Sequence, residues 1–107
     1  MAWIETIHLR TYSQGDRDEA ISAFRQLGTP DREKSLGEIV LFRDFSLAND
    51  LCLFIHWNGE VPGKGKSPLG LQLAAAFSPF GEINHCLWVQ EGRVPPKRRR
   101  SKDEQKV

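Results

Sequence analysis

The sequence predicts an α+β domain in which one antiparallel sheet carries two helices on a single face, with elements in the order β-α-β-β-α-β. Three observations predict it. Residues 3–12, 38–45, 51–57 and 82–90 are short runs rich in Ile, Val, Leu, Phe, Trp and Thr, the composition of strands. Residues 16–27 and 67–77 carry apolar residues at helical spacing. The two middle strands are joined only by Ser46-Leu47-Ala48-Asn49-Asp50, a short link with turn residues that fits an antiparallel hairpin.

In chain order, Trp3, Ile7 and Leu9 fall on one face of the first strand, and Ile4, Thr6, His8, Arg10 and Tyr12 fall on the other. Ser13-Gln14-Gly15 breaks that strand. Asp16 precedes Glu19 by three residues, a capping-box spacing with Asp16 as expected N-cap. Ala20, Phe24 and Leu27, with Ile21 beside them, form the apolar stripe, and Gly28 and Pro30 stop the helix. Residues 29–37 are polar and indeterminate. Strands over Glu38–Phe45 and Leu51–Trp57 follow, and then a loop rich in Gly and Pro. Ser67-Pro68 opens the second helix as cap and first-turn proline. Leu69, Leu73, Ala76 and Phe77 form its stripe, and Pro79 with Gly81 ends it. Glu82–Gln90 is the closing strand.

The 107 residues fit one domain. Two cysteines are too few for a disulfide framework, and no apolar run approaches the ~20 residues of a membrane span. The opening Met1-Ala2-Trp3-Ile4-Glu5 has no charged leader and no apolar core, so a cytoplasmic protein is expected. The formal net charge of +1 hides an asymmetry. Residues 1–92 hold 8 of the 15 Lys and Arg but 12 of the 14 Asp and Glu, and residues 93–107 hold the rest. Those last residues contain two valines and no other hydrophobe, the composition of a disordered basic tail. The domain is therefore expected over 1–92.

This order is the ferredoxin-like plan. Both faces of Leu51-Cys52-Leu53-Phe54-Ile55-His56-Trp57 are largely apolar, and so are those of Ile83 to Val89. Two helices cover one face of a four-stranded sheet, so the other needs a different cover. A second copy packed sheet to sheet is the simplest one, and a homodimer is expected.

With that pattern in view, residues 2–91 resemble the dimeric α+β barrel superfamily, which includes antibiotic biosynthesis monooxygenase-like and stress-responsive barrel domains. The resemblance rests on the element order, the hydrophobic hairpin Glu38–Trp57, the Ser67–Phe80 helix and the closing strand. It implies two sheets closing into a barrel with ligand clefts inside or between sheet and helices. It also implies cofactor-independent monooxygenase, isomerase or haem-degrading activity, or binding without known activity. Haem-degrading members have a histidine on the second helix, and Ser67–Phe80 has none. No cofactor is therefore implied. Cofactor-independent oxygenases of the group use a polar cleft with Trp, Asn, Arg or Tyr. Trp57, Asn58, Arg43 and Tyr12 supply such groups without a position-by-position match.

His8, Arg10, Tyr12 and His56 should all point away from the helices. Arg43 joins them only if the hairpin pairs odd positions with even ones. His8 and His56 are the candidate catalytic bases, Arg10 and Arg43 would hold a charge, and Tyr12, Trp57 and Trp88 would line the pocket of a small organic ligand. Imidazoles and guanidiniums in a water-poor cavity bind an anion or enolate and move a proton near neutral pH. The opposing reading makes the histidines hydrogen-bonded core and pairs the arginines with Glu5, Asp44 or a partner's acid. That protein would be a non-catalytic dimeric scaffold or ligand sensor. An open polar-lined cleft of at least ~300 Å³ favours ligand chemistry, and a packed interior favours the scaffold.

Other motifs carry less. Glu60-Val61-Pro62-Gly63-Lys64-Gly65-Lys66-Ser67 ends as a phosphate-binding loop does, but Glu60 stands where that motif needs glycine. An anion held there by Lys64 and Lys66 is the looser reading, and a solvated loop the simpler one. The basic run over 97–102 has no interleaved aromatics, so nucleic acid is not the expected partner. Cys52 and Cys86 read as buried inert thiols, and no metal-ligand spacing occurs.

Overall fold

The computed structural model describes residues 2–28, 34–60 and 65–97. Alternation in the first strand produces β1 (Trp3–Thr11), followed by α1 (Gln14–Arg25), β2 (Leu36–Arg43), β3 (Asp50–Trp57), α2 (Pro68–Phe77) and β4 (Gly81–Val89). A 3₁₀ turn over Ser78–Phe80 leads from α2 into β4. The strands form one antiparallel sheet in the order β2-β3-β1-β4, so β1 and β3 are central as the ferredoxin-like plan requires.

One face of the sheet is the core. Ile7, Leu9, Leu53 and Ile55 are fully buried, with Trp3, Leu51 and Trp57 nearly so, against Ala20 of α1 and Leu73 and Phe77 of α2. Each such side chain contributes about 1.5–3 kcal/mol of transfer free energy. Trp3 and Trp57, opposite each other in the β1–β3 ladder, stack with centroids 5.4 Å apart.

Local chemistry moves several boundaries. Ser13, not Asp16, caps α1: its Oγ accepts the Asp16 N–H at 3.0 Å and donates to Asp16 Oδ2 at 2.9 Å. A serine in extended conformation meets the cap requirement one turn earlier. The helix ends at Arg25, so Leu27 is not part of its stripe. In α2 the buried residues are Gly70, Leu73 and Phe77, while Ala76 is exposed. The second strand starts at Leu36 and ends at Arg43, with a register shift between Leu36 and Glu38. Gly81 opens β4 where an added Cβ would collide with the Arg10 carbonyl, so only glycine allows β4 to start against β1 there. Residues 29–33, the 61–64 part of the Gly-Lys loop and the basic run beyond Lys97 lie outside the described residues.

Candidate functional site

The ladder registers sort each strand residue onto a face, because directly paired residues point the same way. Ile4, Thr6, His8 and Arg10 of β1 share the helix-free face with Cys52, Phe54 and His56 of β3. Glu38, Val40 and Phe42 of β2 and Glu82, Asn84, Cys86 and Trp88 of β4 complete it. Both helices pack on the opposite side, so among the described residues this face is open.

At the hairpin end of the open face lies a cleft of about 460 Å³ lined by His8, Phe42, Arg43, Asp44, Asp50, Leu51, Cys52 and Phe54. Phe42 and Phe54 meet edge to face with centroids 5.2 Å apart, a geometry that fixes both rings. Asp50 begins β3 directly opposite Arg10. Its carboxylate accepts from Arg10 Nε at 3.3 Å and Nη2 at 3.1 Å, and His8 Nε2 lies 3.1 Å from its Oδ2. The Arg10 hydrogen bond holds the Asp50 carboxyl below the usual carboxylate range; burial opposes this, and His8 adds a smaller pull in the same direction. Asp50 in turn raises Arg10. Beside them, burial pushes the Cys52 thiol up to about 11, so it is neutral and inert at physiological pH. Both cysteines are half-buried on the open face rather than in the core.

The proposed site residues are only partly brought together. His8 and Arg10 meet, through Asp50. His56 faces the same way but stands four residues along β3 from Cys52, the partner of His8, roughly 13 Å away at ~3.4 Å per residue. It lines a separate 280 Å³ hollow with Ile4 and Trp88. Trp88 is 57% exposed, and its indole N–H donates to Thr6 Oγ1 at 2.9 Å. Arg43 pairs with Leu51, odd with odd, so it takes the parity of the helix-facing row rather than that of His8 and Arg10, yet at the hairpin end it lines the same cleft as His8. Trp57 is buried beneath the helices and walls no cleft on the open face. Tyr12 lies past the end of β1, exposed, its backbone N–H bonded to the Phe80 carbonyl.

A second polar constellation, beyond the residues the sequence points to, lies on the helix-covered face. Glu5 sits in the apolar row of β1, fully buried. Its Oε1 accepts from Trp57 Nε1 at 2.9 Å and Ser67 Oγ at 2.5 Å; its Oε2 accepts the Ser67 N–H at 3.1 Å and lies 2.8 Å from His85 Nε2. Ser67 Oγ also accepts the Gly70 N–H at 2.9 Å as the α2 cap. Gly70 lies so close that any Cβ would overlap the Glu5 carboxylate. Four donor groups satisfy this carboxylate. It anchors the start of α2 to three strands. Arg10 faces the other side of the sheet and pairs with Asp50, and the donors on Glu5 are Trp57, Ser67 and His85 rather than Arg43. The parity of Glu5 with Trp3 and Ile7, and of His85 with Ile83 and Leu87, was the signal available for it.

Among the described residues no cluster of His, Cys, Asp and Glu is placed to hold a metal ion, and no helix is long and apolar enough to cross a membrane.

No family model and no curated protein matches the chain. Solved structures do. A dimeric ferredoxin-like protein from an uncultured marine organism is 10% identical, with a TM-score of 0.62 over 90% of this chain and 93% of that one. SnoaB, a cofactor-independent oxygenase from Streptomyces nogalater, is 12% identical, with a TM-score of 0.54 over 88% and 97%. A Bordetella bronchiseptica protein assigned to the antibiotic biosynthesis monooxygenases is 13% identical, with a TM-score of 0.53 over 88% and 98%. Likeness at these identities speaks to architecture, and the chain has the ferredoxin-like α+β fold that these proteins share.

Proposed function

We propose that the chain works as a homodimer whose open sheet faces pack together, and that each protomer binds a small aromatic or enolisable molecule in the cleft beside His8. The observation that carries this reading is the His8–Asp50 contact at the wall of a 460 Å³ cleft furnished with Phe42 and Phe54. In the tautomer that donates Nε2–H to the ionised Asp50, His8 keeps the Nδ1 lone pair for a substrate proton. Asp50 orients the ring and stabilises the imidazolium that forms, the logic of a general base with an orienting carboxylate. Removing that proton gives an enolate or phenolate. Reprotonation at another atom makes the overall reaction an isomerisation; reaction of the same anion with dioxygen makes it a cofactor-independent oxygenation. The ferredoxin-like neighbour that is dimeric and the neighbour that is a cofactor-independent oxygenase support both parts of the reading.

A binding-only function is the second reading. The distance between His8 and His56 favours it, since it leaves the base without a second imidazole to act as acid. Titration of the isotope-labelled full chain with phenol, 1-naphthol and acetylacetone, read from His8 and Phe54 chemical shifts, tests the site. Saturable shifts at His8 and Phe54, with none at buried Trp57, are expected. Invariant His8 signals with every probe would end the ligand reading. Turnover of any bound probe then separates the enzyme from the sensor.

A further inference from the structure

His8 has a second side. Besides the aromatic cleft, it lines a hollow of about 270 Å³ with Arg10, Glu82, Ile83 and Asn84. The ladder explains the grouping: Asn84 stands directly opposite His8, and Glu82 opposite Arg10, on the β4 side of β1. Phe54 stands opposite Thr6 on the β3 side. His8 is therefore a wall that the two hollows share, with phenyl rings on one side of it and polar groups on the other. Two strand spacings, about 10 Å across the sheet, separate the strands of Phe54 and Asn84.

Charge decides what the second hollow takes. Arg10 Nε and Nη2 both donate to Asp50, so the guanidinium charge is already matched. Glu82 is exposed and makes no ion pair among the described residues. The wall of this hollow thus carries one carboxylate more than it has cations. It offers a ligand acceptors on Glu82 and Asn84, and donors on Asn84 and on Arg10 Nη1, which makes no hydrogen bond among the described residues. An anionic group meets Glu82 with no unmatched cation to hold it, and an ammonium meets Arg10 and leaves the donors unanswered. A neutral carboxamide answers both sets, its NH₂ to the acceptors and its oxygen to the donors.

We propose that the two hollows form one bipartite site for an aryl ketone whose acidic carbon is flanked by a carboxamide. This rests on the reading of His8 as the base of the aromatic cleft. The order of groups along the ligand follows the order of the strands: ring over Phe42 and Phe54 of β2 and β3, acidic carbon over His8 of β1, amide at Glu82 and Asn84 of β4. In that pose the carbon between the two carbonyls gives its proton to His8 Nδ1 and keeps the electron pair as an enolate.

Three probes of one shape differ only in the terminal group: benzoylacetamide ends in NH₂, 1-phenyl-1,3-butanedione in CH₃ and benzoylacetate in O⁻. Each is titrated at neutral pH into the isotope-labelled full chain, and Kd is read from the chemical shifts of His8, Phe54 and Asn84. The amide is expected to bind roughly fivefold tighter than the methyl ketone, and benzoylacetate more weakly than the amide. In Glu82→Gln the deficit of the carboxylate should narrow, and in Asn84→Ala the advantage of the amide over the methyl ketone should shrink. Both substitutions fall on exposed side chains, and a dispersed amide spectrum verifies that each variant is folded. Equal affinity for all three probes, with shifts at His8 and Phe54, would overturn the bipartite site and leave the aromatic cleft standing. A carboxylate that binds tighter than the amide would do the same, as would a preference for the amide that neither variant alters. No shift at His8 with any of the three or with acetylacetone would overturn the cleft reading as well.

Discussion

Glu5 and Ser67, 62 residues apart in sequence, are joined by two hydrogen bonds, Ser67 Oγ to Oε1 and Ser67 N–H to Oε2. The carboxylate of β1 thus holds the first turn of α2 on the sheet, and the cap of a helix depends on a strand residue.

Replacing Glu5 with alanine should destabilise the protein by about 3–5 kcal/mol, because it leaves the buried Trp57, Ser67 and His85 donors unpaired. Glu5→Gln keeps the volume but turns an NH₂ group toward other donors, and should cost about 1–3 kcal/mol. Urea unfolding followed by tryptophan fluorescence separates the two.

Gly70→Ala should also destabilise. In most helix interiors that change gains about 1 kcal/mol from propensity. Here the new Cβ meets the Glu5 carboxylate, so the sign reverses. A Gly70→Ala protein more stable than the parent in thermal unfolding would show that α2 can slide away from β1.

The cleft should respond to His8 and Asp50 separately. His8→Ala should lower any turnover by roughly 10²–10⁴, the usual worth of a general base, with little effect on apolar ligand affinity. Asp50→Asn should lower the rate through loss of orientation and weaken the hold on Arg10. Steady-state rates with a substrate identified from the probe series, alongside its binding constant, distinguish these outcomes.

Acid should weaken the fold through Asp50. Its carboxyl is held below the ordinary range in the folded chain, so its stabilising contribution is complete above the unfolded value of about 3.9 and is lost as pH falls through the lower folded value. In Asp50→Asn this part of the acid transition should vanish, as measured by urea midpoints across the acid range.

Cys52 gives a chemical readout of the open face. With its thiol raised from 9.0 to about 11, alkylation by iodoacetamide near pH 8 should run on the order of 100-fold slower than for the same cysteine in the unfolded chain. Equal rates would mean that the site is wetter than its burial implies.

Most of the architecture was legible because alternation and stripes report directly on burial: Trp3, Ile7 and Leu9 in one row, Leu73 and Phe77 in another. The unpartnered sheet face was legible for the same reason, since Phe54 and Cys52 are apolar on the side the helices do not cover. The site was less so. Which row Arg43 joins turns on hairpin register, which composition does not determine; the ladder sets it opposite Leu51, and both line the cleft at its hairpin end. Trp57 reads equally well as pocket wall or core, and burial decides for core. Asp50 resembles a turn residue until its pairing with Arg10 is known. Glu5 is a different case: a charge in a buried row needs partners, and they come from residues 57, 67 and 85, which only the folded chain brings near.

Asp50 has two attachments that no other residue of the cleft combines. Its amide closes the loop that carries Phe45, while its carboxylate steers the imidazole of His8. A displacement of that loop would therefore reach the His8 imidazole through a single residue.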